Sequence, residues 1–163
     1  MIKVSHSVMI ERPVKDVFDF IANPENAHLW VSGVHEVKKL SDGPMAVGAK
    51  ARQVRRFMGH ELSSDYEITH FEAAKRVDVK VTSGPLAGFH VAESVASAPG
   101  DIVEVAAAGK KEQTVVTFVG QGEVAGTLGK LLKLAEPVLA RMYERQLQAD
   151  MGHLKDLLEA GNG

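Results

Sequence analysis

Between Val34 and Glu123 the chain is a succession of extended segments, joined as far as Ser97 by turns too short to hide a crossover. Ser41-Asp42-Gly43-Pro44, Gly59-His60, Glu72 to Lys75 and Ala98-Pro99-Gly100 mark the turns. Connections this short join antiparallel neighbours, whereas parallel strands need a dozen residues or more. The segments between them read as strands over Val34 to Leu40, Val47 to Met58, Glu61 to His70, Arg76 to Ser83, Phe89 to Ser97 and Gln113 to Glu123. Leu62, Ser64, Tyr66 and Ile68 share one face of their strand. Val77, Val79 and Val81 alternate against Asp78 and Lys80. Ser83-Gly84-Pro85 interrupts the fourth strand. Asp101 to Ala107 can extend, but Ala106-Ala107-Ala108-Gly109-Lys110 is poor strand material.

The flanks differ from this middle. Ile2 to Glu11 alternates as a first strand, with Val4, His6, Val8 and Ile10 on one face. Pro13 opens a short helix in which Val14, Val17, Phe18 and Ile21 repeat at helical spacing. Asn23-Pro24 ends it, and Pro24 to Trp30 reads as a second, very short helix. At the other end Thr127 is a candidate cap for an apolar stripe running through Leu128, Leu131, Leu132 and Ala135, then Val138, Leu139, Met142, Leu147, Met151, Leu154 and Leu158. Pro137 lacks a backbone donor, so the helix is expected to bend or restart near Glu136. The piece from Pro137 to Glu159 would be roughly 35 Å long. Gly161-Asn162-Gly163 reads as a frayed, disordered tail. One α+β domain over 1–160 follows. A curved antiparallel meander and one long helix leave an apolar concavity between them.

Composition removes several functions. Lys and Arg total 19 and Asp and Glu total 21, a formal net charge of −2, so no broad basic field for nucleic acid exists. There are no cysteines, hence no disulfide, thiolate nucleophile or zinc–thiolate site. No run reaches the ~18 apolar residues of a membrane span. The N-terminus lacks the pattern of a secretory signal. The expected location is the cytoplasm. Gly120-Gln121-Gly122 lacks the rest of a dinucleotide fingerprint, and no phosphate-loop motif occurs. Gly84, Gly88, Gly120, Gly122 and Gly126 read as bends and bulges of a curved sheet. The seven histidines form no paired metal-binding motif. No metal and no cofactor are expected.

The ordered set of local patterns resembles the START-like helix-grip (SRPBCC) superfamily, in its polyketide cyclase/dehydrase and lipid-transport branch. The similarity runs through Ile10-Glu11-Arg12-Pro13, Val17-Phe18-Asp19-Phe20-Ile21-Ala22-Asn23-Pro24-Glu25-Asn26 and Trp30. It continues through Val47-Gly48, Tyr66-Glu67-Ile68-Thr69-His70-Phe71-Glu72 and the terminal Leu147 to Glu159. The resemblance implies a curved antiparallel sheet of six or seven strands gripping the C-terminal helix. It also implies an internal cavity for an apolar or amphipathic small molecule. The branch holds aromatase/cyclases, coenzyme Q-binding proteins and sterol and lipid carriers. Ala98 to Glu112 departs from it, being longer than a simple hairpin.

Candidate site residues follow from which face each occupies. His6 sits on the apolar face of its strand, either as a polar contact in a cavity wall or as a structurally satisfied histidine. Trp30 either lines the mouth of a pocket or plugs the short helices against the sheet. Tyr66 either donates its phenol to a ligand or packs as core. Phe89, Phe118, Val138 and Met142 are candidates for the apolar wall. Met142 and Val138 are expected to face the cavity from the terminal helix. Arg52, Arg55 and Arg56 lie in a strand whose two faces are both mixed. If Arg52 and Arg56 point inward, one can pair with a ligand carboxylate or phosphate. Glu93 and Glu104 are acid/base candidates if they point inward, where an apolar cavity would raise their pKa.

These features read as a small-molecule binding protein that holds an apolar, aromatic, lipid- or polyketide-like ligand between sheet and helix. One alternative is a cyclase, dehydratase or hydrolase acting on a polyketide-like or aromatic substrate. It would need two converging groups among His6, Tyr66, Glu93 and Glu104. A third is a protein-interaction module with a collapsed cavity, marked by a large exposed apolar patch in place of a void. The partner expected is a small apolar or amphipathic ligand, with no nucleic acid and no integral membrane association.

Overall fold

Alternation decides the sheet. In the computed structural model, which describes residues 1–57, 59–84, 86–98, 112–123, 130 and 133–161, seven strands form one open antiparallel sheet. They are β1 (Ile2–Ile10), β2 (Val34–Lys39), β3 (Lys50–Phe57), β4 (His60–Glu72), β5 (Arg76–Val81), β6 (His90–Ser97) and β7 (Thr114–Gly122). The order across the sheet is β1-β7-β6-β5-β4-β3-β2. β2 to β7 follow one another as a meander, as the short turns require between β2 and β6; β7 joins β6 after a longer connection. β1 is the exception: it pairs with the last strand, with Ile2 opposite Gly122 and Ile10 opposite Thr114. Each strand expected from the sequence is present, within about three residues at its ends. Asp101 to Ala107, Glu104, Gly126, Thr127, Leu128, Leu131, Leu132 and the last two residues of the tail lie outside the described residues.

Two register shifts curve the sheet, one between Val34 and Glu36 against β3 and one between Ile68 and His70 against β5. The glycines of β7 do something other than bulge, since β7 pairs without a break on both sides. A Cβ on Gly122 would lie 2.7 Å from the Phe89 ring, and one on Gly120 would lie 3.0 Å from the Tyr143 hydroxyl. These two positions are bare so that bulky side chains can rest on the strand. Gly84, at φ +88, is a true bend. A Cβ there would fall 2.6 Å from the Ser63 carbonyl oxygen, so the β5–β6 connection lies against β4.

The helices occupy the concave face. α1 (Val14–Ala22) buries Val17, Phe18 and Ile21 and turns Asp16 and Asp19 outward. A 3₁₀ turn, Pro24–Asn26, is capped by the Asn23 side chain, which accepts from the Glu25 amide at 3.1 Å. It leads into α2 (Ala27–Trp30). The long α3 (Glu136–Ala160) starts after a 3₁₀ turn, Lys133–Ala135. Pro137 therefore falls in the first helical turn, where the missing N–H has no partner to lose. The helix begins at Glu136, where the proline predicts a bend or restart.

The C-terminal half of α3 closes the fold over β1. Leu147, Met151, Leu154 and Leu158 are buried and recur at helical spacing against Ile2, Val4 and Ile10. Each such side chain contributes about 1.5–3 kcal/mol relative to exposure. Polar contacts fix the approach: Lys155 Nζ donates to the Met9 carbonyl at 2.8 Å and the Glu11 amide to Glu159 Oε1 at 3.0 Å. Gly161 caps the helix through its amide, bonded to the Leu157 carbonyl at 2.9 Å.

Candidate ligand-binding cavity

The N-terminal half of α3 stands off from the sheet, and a cavity of about 280 Å³ lies beneath it. The strands set its walls through their period of two. On β5 the residues Val77, Val79 and Val81 point in, on β6 Val91 and Glu93, and on β7 Phe118. Ser64, Tyr66 and Ile68 face it from β4. Trp30, 6% exposed, closes one side from α2. Phe89 and Leu86 close another from the β5–β6 connection. Helix α3 contributes Tyr143, Gln146, Leu147 and Asp150. The four have the 3–4 residue spacing of one helical face.

Of the residues expected from sequence, Trp30, Tyr66, Phe89 and Phe118 come together around this space. His6 does not join them. It is half-buried on β1, opposite Phe118 in register but outside the lining. Val138 and Met142 correct the expectation for the helix. They are 59% and 60% exposed and are not among the residues lining this cavity. Met142 precedes Tyr143 by one residue, about 100° around the helix, and the inward direction belongs to Tyr143. The stripe followed in the sequence therefore changes face along the helix.

The arginine cluster also resolves differently. Ala51, Gln53 and Arg55 are the inward set of β3. Arg52 points out and holds Asp65 through Nε and Nη2, at 2.7 and 3.2 Å. Arg56 is exposed. Arg55 lies in the cavity wall, where the Gln53 amide oxygen, assigned toward it, accepts from Nη2 at 2.9 Å and Nε at 2.6 Å. Burial works against the Arg55 charge and lowers its pKa, while Tyr143 and Asp150 favour it. An arginine remains cationic under such a shift.

Asp150 is 6% exposed, and its Oδ1 takes three hydrogen bonds. It accepts from the Ser32 amide at 3.1 Å, the Ser32 hydroxyl at 2.6 Å and Gln146 Nε2 at 2.9 Å. It ties α3 to the turn after α2 and balances Arg55. Glu93 is the opposite case. It faces the cavity between its cross-strand neighbours Val77 and Phe118. Among the described residues no group donates a hydrogen bond to it, and burial pushes its carboxyl up to about 7. Tyr66 is raised, first by burial and then by the Glu93 charge. Tyr143 is raised by burial, with Arg55 opposing and Glu93 and Asp150 adding. Both phenols therefore stay protonated as donors. Tyr143, Gln146, Asp150, Gln53 and Ser64 also line the cavity and are not among the residues expected from the sequence. Tyr143 and Asp150 were findable, since they sit four residues before and three after Leu147, on the buried stripe.

An apolar chamber between a curved seven-stranded sheet and a long helix, with a few polar groups converging on it, is the helix-grip architecture. The chain belongs to the polyketide cyclase / dehydrase and lipid transport family, whose model matches residues 1–159. Solved structures similar in fold include TTHA0849 from Thermus thermophilus, with a TM-score of 0.73, 14% identity and 99% of each chain covered. The di-domain ARO/CYC BexL of the BE-7585A biosynthetic pathway has a TM-score of 0.70 and 13% identity, over 100% of this chain and 48% of that one. The Aha1 dimer from Colwellia psychrerythraea has a TM-score of 0.63 and 16% identity, over 100% of both chains. No match is found among curated protein sequences.

Proposed function

We propose that this chain binds a small, largely apolar or aromatic ligand, lipid- or polyketide-like, in the space between sheet and α3. The observation that carries this is the cavity itself, about 280 Å³ walled mostly by aliphatic and aromatic side chains. That is near the lower end of the range for small-molecule sites, and the mixture of apolar wall and few polar groups is characteristic of them. The family description, with its lipid transport and cyclase activities, supports the same reading. An open void also favours it over an interaction module with a collapsed cavity. No helix among the described residues is long and apolar enough to cross a membrane.

The test is binding of a fluorescent apolar probe, with native mass spectrometry of freshly purified protein for a co-purified ligand. Val79→Trp fills the chamber from the β5 wall and is expected to weaken the probe at least tenfold. Circular dichroism establishes that the variant is folded. Equal probe binding by a folded Val79→Trp protein would reject the cavity as the site.

A second reading has one specific observation behind it. Glu93 and Tyr66, two of the groups an acid/base enzyme was expected to need, face the same space, and the Glu93 charge acts on the Tyr66 phenol. A cyclase or dehydratase acting on a polyketide-like or aromatic substrate would use such a pair, and BexL is described as an ARO/CYC protein. A ligand recovered from the protein and returned to it intact supports binding alone. Conversion of that ligand, slowed a hundredfold or more by Glu93→Gln, would favour the enzyme.

A further inference from the structure

The cavity contains one charge pair and one unpaired acid. Arg55 and Asp150 offset each other, and Asp150 is held by three donors. Glu93 has no such support. From β5 and β7 its neighbours are Val77 and Phe118. From β4 the titratable group facing it is Tyr66, and from α3 it is Tyr143. Both are phenols, neutral over the ordinary pH range, and Asp150 adds no positive charge. Arg55 stands on β3, three strands away in the sheet. No cation among the described residues compensates a carboxylate here. A charged Glu93 therefore depends on solvent admitted to the chamber.

An apolar ligand that fills the chamber removes that solvent. The carboxylate would then be buried among Val77, Val91 and Phe118 without a partner, which is far costlier than burying the neutral acid. The neutral acid has an O–H to donate, and a buried donor needs an acceptor. The phenols are donors too, so the polar groups at this end of the chamber ask for an oxygen acceptor. Resting on the binding function proposed above, we infer that the cavity takes an uncharged ligand bearing a carbonyl-type acceptor, and that Glu93 donates to it as the neutral acid. Binding at a pH where free Glu93 is ionised then takes up one proton from solvent. A ligand carboxylate at this end is rejected, because it would face the acid without a cation.

The experiment uses a neutral dialkylamino-naphthyl ketone as probe and the corresponding naphthoate as its anionic counterpart. Affinity is measured from pH 5.5 to 8.5 on the intact chain. For the wild type the ketone is expected to bind with constant affinity at the acid end. Above pH 7 it should weaken toward tenfold per pH unit. The naphthoate is expected to bind at least tenfold more weakly than the ketone at every pH. Glu93→Gln keeps a donor and should lose the pH dependence. Glu93→Leu loses the donor and should bind the ketone several-fold more weakly at low pH, also without slope. Titration calorimetry of the wild type at pH 8, in buffers of differing ionisation enthalpy, should show close to one proton taken up per ketone bound. That measurement needs no variant to fold. Ketone binding with a flat wild-type profile, a slope that survives in Glu93→Gln, or no buffer dependence would overturn the proton coupling while leaving the cavity as a binding site. Tighter binding of the naphthoate would overturn the ligand class. Absence of ketone binding at every pH would reject the binding function itself, and this inference with it.

Discussion

At the scale of the residue, Glu93 ties stability to pH. Its carboxyl is raised from an ordinary value of 4.5 to about 7 by burial. Below pH 4.5 it is protonated in both the folded and unfolded chain, and its contribution to stability is fully present. As pH rises from 4.5 to 7 the unfolded chain loses this proton while the folded one keeps it, so stability falls. Above 7 the loss is complete and the contribution level. The total is on the order of 3 kcal/mol, at about 1.4 kcal/mol per pK unit. Urea unfolding of wild type and Glu93→Gln across this range should show the variant gaining on the wild type between pH 4.5 and 7, then running parallel. Parallel profiles throughout would mean the carboxyl is solvated in the folded state.

The same residue shows what one sequence can and cannot reveal. Val77, Val79, Val81 and Val91 announce an inward face by alternation, and Glu93 continues it. Its inward position was legible once β6 was placed. Arg55 was not legible. Residues 51–56 alternate Ala-Gln-Arg against Arg-Val-Arg, and hydropathy does not distinguish the two faces. Only the pairing of β3 with β4, which sets Arg52 opposite Asp65, turns Arg55 inward.

At the scale of the element, α3 has two halves with different tasks. Up to Tyr143 the outer side is open to solvent, and Val138 and Met142 lie there. Beyond Leu147 the helix is packed onto β1. The periodic apolar pattern made the helix itself readable, and Pro137 its start. It could not assign the face, because Leu139, Tyr143 and Leu147 and the line Leu134, Val138 and Met142 are both plausible stripes at four-residue spacing. Met142 and Met151 now make a matched pair. Met151 is 1% exposed, and Met151→Ala should cost ~2–5 kcal/mol in urea unfolding. Met142→Ala should fall within about 0.5 kcal/mol of wild type. Similar losses for both would show that Met142 packs against something in solution and that this account of the helix is wrong.

At the scale of the molecule, the meander, the opening helices and the final helix were all legible, because each rests on local signals: turn residues, alternation, a proline at a helix start. The chamber volume was not. It depends on how far the first half of α3 is held from the sheet, and that is set by contacts remote in sequence. Asp150 reaching Ser32 is one. Tyr143 resting on bare Gly120 is another. Neither residue of either pair signals its partner.

The pairing of β1 with β7 has a consequence in time. Ile2 must find Gly122, and Glu11 must find Glu159, before the sheet and the helix are complete. Contacts so distant along the chain require a large loop to be closed first, which slows folding. The β3–β4–β5 hairpins need no such closure and can assemble early. Val4→Ala, on β1, should therefore mainly accelerate unfolding. Ile68→Val, in the middle of β4, should mainly slow refolding. Denaturant-dependent rates for the two variants check this, and a slowed refolding limb in Val4→Ala comparable to that in Ile68→Val would place β1 in the nucleus instead. As the chain emerges during synthesis its first strand is then the last to be seated, and its apolar face waits unpaired until nearly everything else has been made.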